Sequence, residues 1–267
     1  VTKPACAEPP SNYSPLKVPG TVVKDIDGLE AGTNHGRAAD KYVYSASVVN
    51  QWLEKPSTQP KNKKIVFVTF DDGPTTKFTG EQLDNLEKAG ARATFFMIPP
   101  QMRDVGKNML SRSLKMGNAL AIHSYSHDYK YLYHGSAANK AKHISCDWDW
   151  AMAQSRAILG SNYFSSAFRY PGGHMSWTNL SQADATLAKR GVGWIDWNAM
   201  SGDADAQRPT TVPGYLQMVK KSIKESNNPN VVVILNHDTY GKQMTAKAMP
   251  SILAWLKSQG YEFGVIA

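Results

Sequence analysis

Residues 65–74 read Ile-Val-Phe-Val-Thr-Phe-Asp-Asp-Gly-Pro and are the most informative segment of the chain. Six residues, five of them apolar, lead into two adjacent carboxylates and a Gly-Pro break. A short apolar run bounded by turn residues predicts a buried strand of a parallel sheet. In barrels of alternating strands and helices, active-site residues lie at the carboxyl ends of the strands. Asp71 and Asp72 therefore mark a candidate site, although Asp and Gly also favour an ordinary solvated turn.

From residue 63 onward, strand-like and helix-like segments alternate. Strands are predicted at 65–70, 93–98, 119–122, 167–168, 193–197, 231–235 and 262–266. Helices are predicted at 79–89, 101–116, 139–159, 177–190, 212–225 and 245–259. About seven βα units indicate a parallel α/β barrel or an open doubly wound sheet. A Rossmann dinucleotide site is disfavoured because no G-x-G-x-x-G follows the first strand.

The N-terminal part has a different composition. Residues 1–37 are rich in Pro, Gly, Ser and Asn and show no sustained period, which predicts an irregular arm or linker. A helix is predicted at 38–53. We therefore divide the chain into an N-terminal arm at 1–62 and a catalytic domain at 63–267.

The composition of the 267 residues, with 42% hydrophobic and 19% charged side chains, is that of a soluble globular protein. No apolar stretch is long enough to span a membrane. A net charge of +8 from scattered Lys and Arg favours an anionic environment such as a cell surface. No nucleic-acid-binding motif accompanies this charge, so a nucleic-acid binder is the less favoured class.

The two cysteines, Cys6 and Cys146, are too few for a disulfide framework. They form either one bridge between the arm and the body or two buried free thiols, and the sequence leaves both open. The chain starts at Val1 without a signal-peptide pattern, so we expect a processed product whose targeting segment has been removed.

Polar residues follow most of the predicted strands: Asp71, Asp72, His123, Arg169, Asp196 and His237. Each has an ordinary explanation by itself, such as a satisfied buried histidine, an ion pair or a helix cap. Their shared placement after successive strands is much harder to explain by chance. In His-Ser-Tyr-Ser-His at 123–127, two imidazoles four residues apart can share one face of a helical turn. With Asp72 they form a set of two histidines and one carboxylate, as in catalytic zinc sites.

These segments resemble the five motifs of the NodB-homology polysaccharide deacetylases, carbohydrate esterase family 4. In family order they are Thr-Phe-Asp-Asp-Gly-Pro at 69–74, His-Ser-Tyr-Ser-His at 123–127, Arg-Tyr-Pro-Gly-Gly at 169–173, Asp-Trp at 196–197 and Leu-Asn-His at 235–237. The flanking sequence looks most like peptidoglycan N-acetylglucosamine deacetylases of Gram-positive bacteria. The resemblance covers 63–267 and implies a distorted (β/α)7-type barrel with an irregular N-terminal extension.

The resemblance implies a metal centre and an acid–base pair. Asp72 and the two histidines of 123–127 would hold Zn²⁺, or another divalent ion such as Co²⁺, which would polarise an acetamide carbonyl and activate water. Asp71 would be the general base, held ionised and oriented by Arg169. His237 would be the general acid, with its pKa raised by Asp196.

The resemblance also implies groups that bind the substrate. The backbone N–H of Gly172 would stabilise the oxyanion together with the metal. Trp197 and Leu235 would form apolar walls around the acetyl methyl group, and Tyr170 would line the groove. Gly172 and Gly173 stand where many relatives carry a bulkier residue first, which implies a more open groove floor.

The implied activity is hydrolysis of the acetamide of N-acetylglucosamine units in peptidoglycan or a related polysaccharide, by a secreted or cell-surface enzyme, expected to be a monomer. The alternatives on the same fold are an O-acetyl-xylan esterase and a chitin oligomer deacetylase. From a different class, the chain could be a polysaccharide-binding module without turnover. The complete set of acid, base and metal positions argues against that last possibility.

Overall fold

The computed structural model of the chain describes residues 21–267. The strands are β1 Val43–Tyr44, β2 Ile65–Asp71, β3 Ala93–Met97, β4 Ala119–Ile122, β5 Ala167–Phe168, β6 Gly193–Trp194, β7 Ala199–Met200, β8 Val231–His237, β9 Glu262–Phe263 and β10 Val265–Ile266. The α-helices are α1 Ala46–Glu54, α2 Thr76–Ala89, α3 Met102–Val105, α4 Lys107–Lys115, α5 Tyr129–Tyr133, α6 Ala137–Leu159, α7 Ser181–Lys189, α8 Val212–Glu225 and α9 Gln243–Ser258. Short 3-10 helices occur at Arg37–Tyr42, Pro56–Thr58, Pro99–Gln101 and His174–Ser176. The bridge considered between Cys6 and Cys146 involves Cys6, which lies outside the described residues.

One parallel sheet carries the site, with its strands in the order β6-β5-β4-β3-β2-β8-β7. β2 is the central strand, and β8 pairs with it from Ile65 opposite Val231 to Asp71 opposite His237. On its other edge β2 pairs with β9 at its start and with β3 further along. Because all of these strands are parallel, their carboxyl ends meet at one edge. The curved sheet with its helices is a distorted (β/α)7 barrel, which confirms the predicted fold class.

The sheet separates two apolar clusters because successive side chains of a strand point to opposite faces. On β2, Val66 and Val68 belong to an outer cluster, to which α2, α6, α8 and α9 also contribute. Ile65 and Phe67 belong to an inner cluster on the other face. The inner cluster consists of Ala46, Val49, Ile65, Phe67, Phe96, Ala121, Ala167, Ile195, Val231, Val233 and Ile266. Beyond it, toward the carboxyl ends, the same inward-facing rows continue with polar side chains.

Residues 21–62, predicted as part of an arm or linker, pack against this sheet. Ile26 and Leu29 lie in the outer cluster, and α1 contributes two residues to the inner one. The buried Asn34 side-chain amide donates a hydrogen bond to the backbone carbonyl of Ile266. None of the helices between residues 21 and 267 has the length and hydropathy that a membrane span requires.

Two predicted helices have different bounds in the structure. Of the helix predicted at 38–53, the first residues belong to the 3-10 helix Arg37–Tyr42 and the α-helix begins only at α1, because β1 lies between them and pairs with β10 near the C-terminal end. The helix predicted at 101–116 is interrupted at Gly106, whose backbone has a φ of +78°, so it becomes α3 and α4. In both cases a local preference gives way to a long-range contact or to a residue that favours left-handed backbone.

Shorter elements account for the other differences. The helix predicted at 177–190 is limited to α7, and the strand predicted at 193–197 is limited to β6. β7 and α5 were not predicted at all. The last strand, predicted at 262–266, divides into β9, which pairs with β2, and β10, which pairs with β1.

Candidate active site

The polar residues of the site continue the inward-facing rows of the strands. On β2 the row runs from Phe67 through Thr69 to Asp71, and on β8 it ends at His237, the Cα partner of Asp71. By the same alternation, His123 lies on the same face as Ala121 of β4, and Arg169 lies on the same face as Ala167 of β5. The strand geometry therefore collects, above the inner cluster, side chains that are far apart in the sequence.

Three groups that can ligate a metal converge beside Asp71. One ligand atom from each of Asp72, His123 and His127 lies within 4.8 Å of the others. The Nε2 atoms of His123 and His127 lie 3.3 and 3.1 Å from Oδ1 of Asp72. That oxygen is buried and has no hydrogen-bond partner of acceptable geometry among the residues that the structure describes. Three electron-pair donors gathered around one point without hydrogen bonds fit a divalent cation.

Backbone conformation and a carboxylate position these ligands. Asp72 and His127 have φ values of +73° and +48°, which L-residues rarely adopt. The i, i+4 spacing predicted a helical turn, but residues 123–127 form a loop. Asp147, buried in α6, holds this loop by accepting hydrogen bonds from Tyr125 N, from Ser126 N and from the hydroxyls of Ser124 and Ser126.

Sequence reasoning missed Asp147. The available signal was an acidic residue between buried apolar positions of the long helix α6, where an unpaired charge would be costly.

The electrostatics of the cluster follow from its burial and its close contacts. Burial by itself would raise the pKa of Asp72, but the imidazoles of His123 and His127 and the charge of His237 lower it well below its usual range. Burial would lower the pKa of His127, and the Asp72 carboxylate overcomes this effect and raises it. A cation that binds here therefore competes with a proton on His127.

Arg169, which follows β5, is fully buried. It connects Asp71, at the end of β2, to the backbone that follows β6. Its Nη1 donates to Oδ1 of Asp71 at 2.9 Å and to Oγ1 of Thr69 at 2.7 Å. Its Nε and Nη2 donate to the backbone carbonyls of Ile195 and Asp196, both at 3.1 Å. The guanidinium thus fixes the Asp71 carboxylate next to the metal-ligand cluster, as the resemblance implied.

The partner of His237 is Asp203. Nδ1 of His237 lies 2.7 Å from Oδ1 of Asp203, and its backbone N–H donates to Oδ2 at 2.8 Å. Thr245 Oγ1 also donates to Oδ2, and Lys242 Nζ donates to the Asp203 backbone carbonyl. With Nδ1 occupied in this way, Nε2 of His237 faces the cluster, 3.9 Å from Oδ2 of Asp72.

The same arrangement determines the protonation of His237. Burial lowers the pKa of this imidazole, but the hydrogen bond and charge of Asp203, together with the charges of Asp71 and Asp72, raise it to about 9. His237 therefore carries a proton at neutral pH, which a group that donates a proton requires.

The prediction that Asp196 is the partner of His237 is wrong. The Asp196 carboxylate instead accepts hydrogen bonds from the backbone N–H groups of His174 at 2.8 Å and Met175 at 2.9 Å. It thereby anchors the loop that follows β5. Asp203 follows β7 after Ser201 and Gly202 and fits the rule of a polar residue beyond a strand end, but that strand was not predicted, so Asp203 was not selected.

The two glycines of this loop are closely packed. Gly172 and Gly173 have φ values of +79° and +87°. A Cβ atom at Gly172 would lie 3.3 Å from the Tyr129 hydroxyl oxygen, and one at Gly173 would lie 2.6 Å from the Trp197 ring. The two glycines therefore make room for the aromatic side chains of Tyr129 and Trp197, and the open groove floor stays a prediction.

The remaining predicted residues differ in their placement. Trp197 and Leu235 are half-buried, and Trp197 packs against the inner cluster. Tyr170, predicted to line the groove, is buried, and its hydroxyl donates to Asp184 at 2.7 Å. Its side chain is therefore part of the core and does not line an open surface.

Known proteins are similar to this chain in sequence and in fold. Residues 58–189 match the family model described as polysaccharide deacetylase. A putative polysaccharide deacetylase, YheN of Bacillus subtilis, is 31% identical over 210 residues, which are 78% of this chain and 69% of that protein. A peptidoglycan-N-acetylglucosamine deacetylase of Bacillus cereus is 28% identical over 204 residues, 76% of this chain and 69% of that protein.

Two further matches extend the comparison. A bifunctional xylanase/deacetylase of Pseudobutyrivibrio xylanivorans is 30% identical over 79% of this chain, which spans only 31% of that longer protein. The solved structure of a CE4 esterase of Streptococcus mutans superposes with a TM-score of 0.81 at 38% identity, covering 91% of this chain and 100% of that one.

Proposed function

This chain belongs to the polysaccharide deacetylase family, and we propose that it is a metal-dependent enzyme that hydrolyses the acetamide of N-acetylglucosamine units in peptidoglycan or a related surface polysaccharide. The observation that carries the proposal is the buried Asp72 oxygen that faces two imidazoles without a hydrogen bond. A carboxylate paired with Arg169 and an imidazole paired with Asp203 flank this point. A base and an acid on either side of a cation site are what amide hydrolysis needs.

Asp72, His123 and His127 are the residues that would hold Zn²⁺, or another divalent ion such as Co²⁺. Bound there, the ion would supply Lewis acidity to the acetamide carbonyl and to the attacking water. The two imidazoles and one carboxylate match the donor set of catalytic zinc sites, which leave a coordination position free for reactants.

The protein groups supply the proton transfers. Asp71 accepts a proton from water as the water oxygen forms a bond to the carbonyl carbon. The backbone N–H of Gly172 donates to the oxygen that becomes negatively charged. His237 donates its proton to the amide nitrogen, the carbon–nitrogen bond breaks, and acetate and a free amine are released. Exchange with solvent then returns Asp71 to its ionised form and His237 to its protonated form.

Three further features support the proposed substrate. The relative from Bacillus cereus is named for peptidoglycan N-acetylglucosamine. A net charge of +8 suits the anionic surface of a cell wall. Trp197 and Leu235 offer apolar surface for an acetyl methyl group. We accordingly propose a secreted or wall-associated enzyme, and since one chain supplies every group of the site, it needs no partner subunit.

Acetate release from several polymers tests this function. We expect release from peptidoglycan, chitin oligomers or poly-N-acetylglucosamine in preference to acetylated xylan, with loss of activity in a chelator and recovery on addition of Zn²⁺ or Co²⁺. In Asp72→Ala we expect metal affinity, measured by calorimetric titration, to fall at least about a hundredfold. Asp205→Asn, a change at an exposed carboxylate, serves as the control. Undiminished acetate release from metal-free protein would contradict the mechanism.

The Asp203–His237 pair predicts a change in pH dependence. His237 must be protonated, so activity falls as the pH rises through its pKa. In Asp203→Asn, burial continues to lower this pKa while the main opposing charge is gone, so the fall should begin at a lower pH. We expect the alkaline limb of kcat against pH to move down by about one to two units, which lowers activity at pH 8 by about two- to tenfold. An alkaline limb that stays in place would show that another group titrates there.

A further inference from the structure

Exposed apolar side chains are concentrated around the candidate active site. Among residues 21–267, the exposed large hydrophobic residues are Val22, Val48, Tyr129, Met175 and Tyr240. Tyr129, Met175 and Tyr240 come shortly after β4, β5 and β8, at the edge of the sheet that carries the metal-ligand cluster. Exposed apolar surface gathered at one place on a soluble protein marks a surface for a ligand.

Tyr129 lies on one side of this edge, at the start of α5. Its ring is 5.4 Å from the ring of His127 and 5.2 Å from that of Trp177, and 45% of the residue is exposed. Two neighbouring aromatic residues have their polar atoms in use, since the Tyr133 hydroxyl and the Trp177 indole N–H both donate to the Pro171 carbonyl. The Tyr129 hydroxyl has no hydrogen-bond partner in the described part of the chain, so both its ring and its hydroxyl are available to a ligand.

Tyr240 lies on the other side, beyond the end of β8. Its ring meets that of Phe78 edge-on at 6.1 Å, and 79% of the residue is exposed. The backbone below it is fixed by Asp238, whose buried carboxylate accepts a hydrogen bond from Thr79 and whose carbonyl accepts one from Thr75. A large aromatic ring is thus held in solvent on a rigid base, next to the loop that carries Asp72.

The sheet order places the strands that precede these two tyrosines on opposite sides of β2. β4 lies on one side of β2 and β8 lies on the other, while Asp71 and Asp72 are at the end of β2. A polysaccharide that places one acetamide at the metal-ligand cluster would extend its neighbouring units to both sides. The C–H faces of pyranose rings are apolar and pack on aromatic rings, and their hydroxyls suit a free phenol.

We propose that Tyr129 and Tyr240 form two stacking subsites for the sugar units that flank the unit being deacetylated. The proposal rests on the proposed function, because it takes the acetamide to react at the cluster. It makes the enzyme selective for chains over short fragments: each ring contributes binding only when a sugar unit reaches it.

The test compares N-acetylglucosamine oligomers of two and five units. For the wild type we expect kcat/KM to be larger with five units than with two. In Tyr129→Ala and in Tyr240→Ala, the ratio of the two values should fall about three- to tenfold, and further in the double variant. Tyr129→Phe, which keeps the ring, should retain most of the ratio. Val48→Ala, at an exposed apolar residue of α1, is the matched control. A ratio within twofold of the wild-type value in both alanine variants would overturn the proposal.

A binding measurement separates this proposal from the proposed function. In an Asp71→Asn background, retention on insoluble chitin and peptidoglycan should fall when Tyr240→Ala is added and should not fall with Val48→Ala. If the wild type releases no acetate from any polymer but retention still depends on Tyr240, the proposed function fails and the subsites stand. If acetate release is normal and neither retention nor the length ratio depends on the two tyrosines, the subsites are refuted and the function stands.

Discussion

Asp71→Asn is expected to lower kcat for acetate release about 10²- to 10⁴-fold, the range that general base catalysis contributes. The substitution keeps the shape of the side chain, and an amide oxygen can still accept the hydrogen bond from Arg169. The amide nitrogen that replaces the other carboxylate oxygen cannot accept a proton from water. Steady-state kinetics on a chitin oligomer, with the metal content of each preparation measured, provides the comparison.

Retained metal binding distinguishes loss of the base from loss of the cation. Because Asp72, His123 and His127 are unchanged, we expect Asp71→Asn to bind the metal about as well as the wild type does. Asp205→Asn is again the control for removal of a carboxylate. A kcat within about tenfold of the wild-type value, in fully loaded protein, would exclude Asp71 as the base.

Arg169→Met should produce the largest loss of stability, about 3–5 kcal/mol in the free energy of unfolding. Removing the guanidinium leaves the buried Asp71 carboxylate without its ion pair. It also removes the donors to the Thr69 hydroxyl and to the carbonyls of Ile195 and Asp196. Buried polar groups that lose their partners pay the full cost of desolvation. Calorimetry of the metal-free protein should show a midpoint lowered by roughly 10 °C.

Arg112→Met is the matched control for this prediction. Arg112 also contacts two carboxylates, Asp84 and Glu87, but Arg112 is only half-buried and both carboxylates are exposed to solvent. Exposed ion pairs contribute about 0–1 kcal/mol, so the midpoint should change little. Arg169→Lys keeps the charge but not the planar set of donors, and we expect it to lie between wild type and Arg169→Met. Equal midpoints for the Arg169→Met and Arg112→Met proteins would contradict the assigned role of the buried guanidinium.

Much of the site could be predicted because strands impose a short, regular period. The apolar run that begins at Ile65 fixed β2, and a two-residue alternation from it leads directly to Asp71. The same reasoning identified His123, Arg169 and His237, each after an apolar strand. The structure brings these four side chains together, and Asp72 and His127 join them.

The errors occurred in segments that are too short or too irregular to show a repeating pattern of apolar residues. β7 has only two residues, so its end gave no signal, and Asp203 was overlooked as the partner of His237. Asp196 was selected by its motif alone, yet its carboxylate holds the loop after β5. The helix predicted at 38–53 is divided by β1, because a partner strand more than 200 residues later is available to Val43 and Tyr44.

The parallel sheet, the strand ends that bear polar side chains and the trio Asp72, His123 and His127 could be read from the residues alone, because these depend on short apolar periods and on residue type. Only the folded chain pairs each carboxylate with its partner: Asp203 with His237, Asp147 with the loop at 123–127, and Asp196 with the loop that follows β5. It also decided the left-handed backbone at Asp72 and His127. Such pairings depend on how loops from distant parts of the chain pack at one edge of the sheet, which no local pattern of residues encodes.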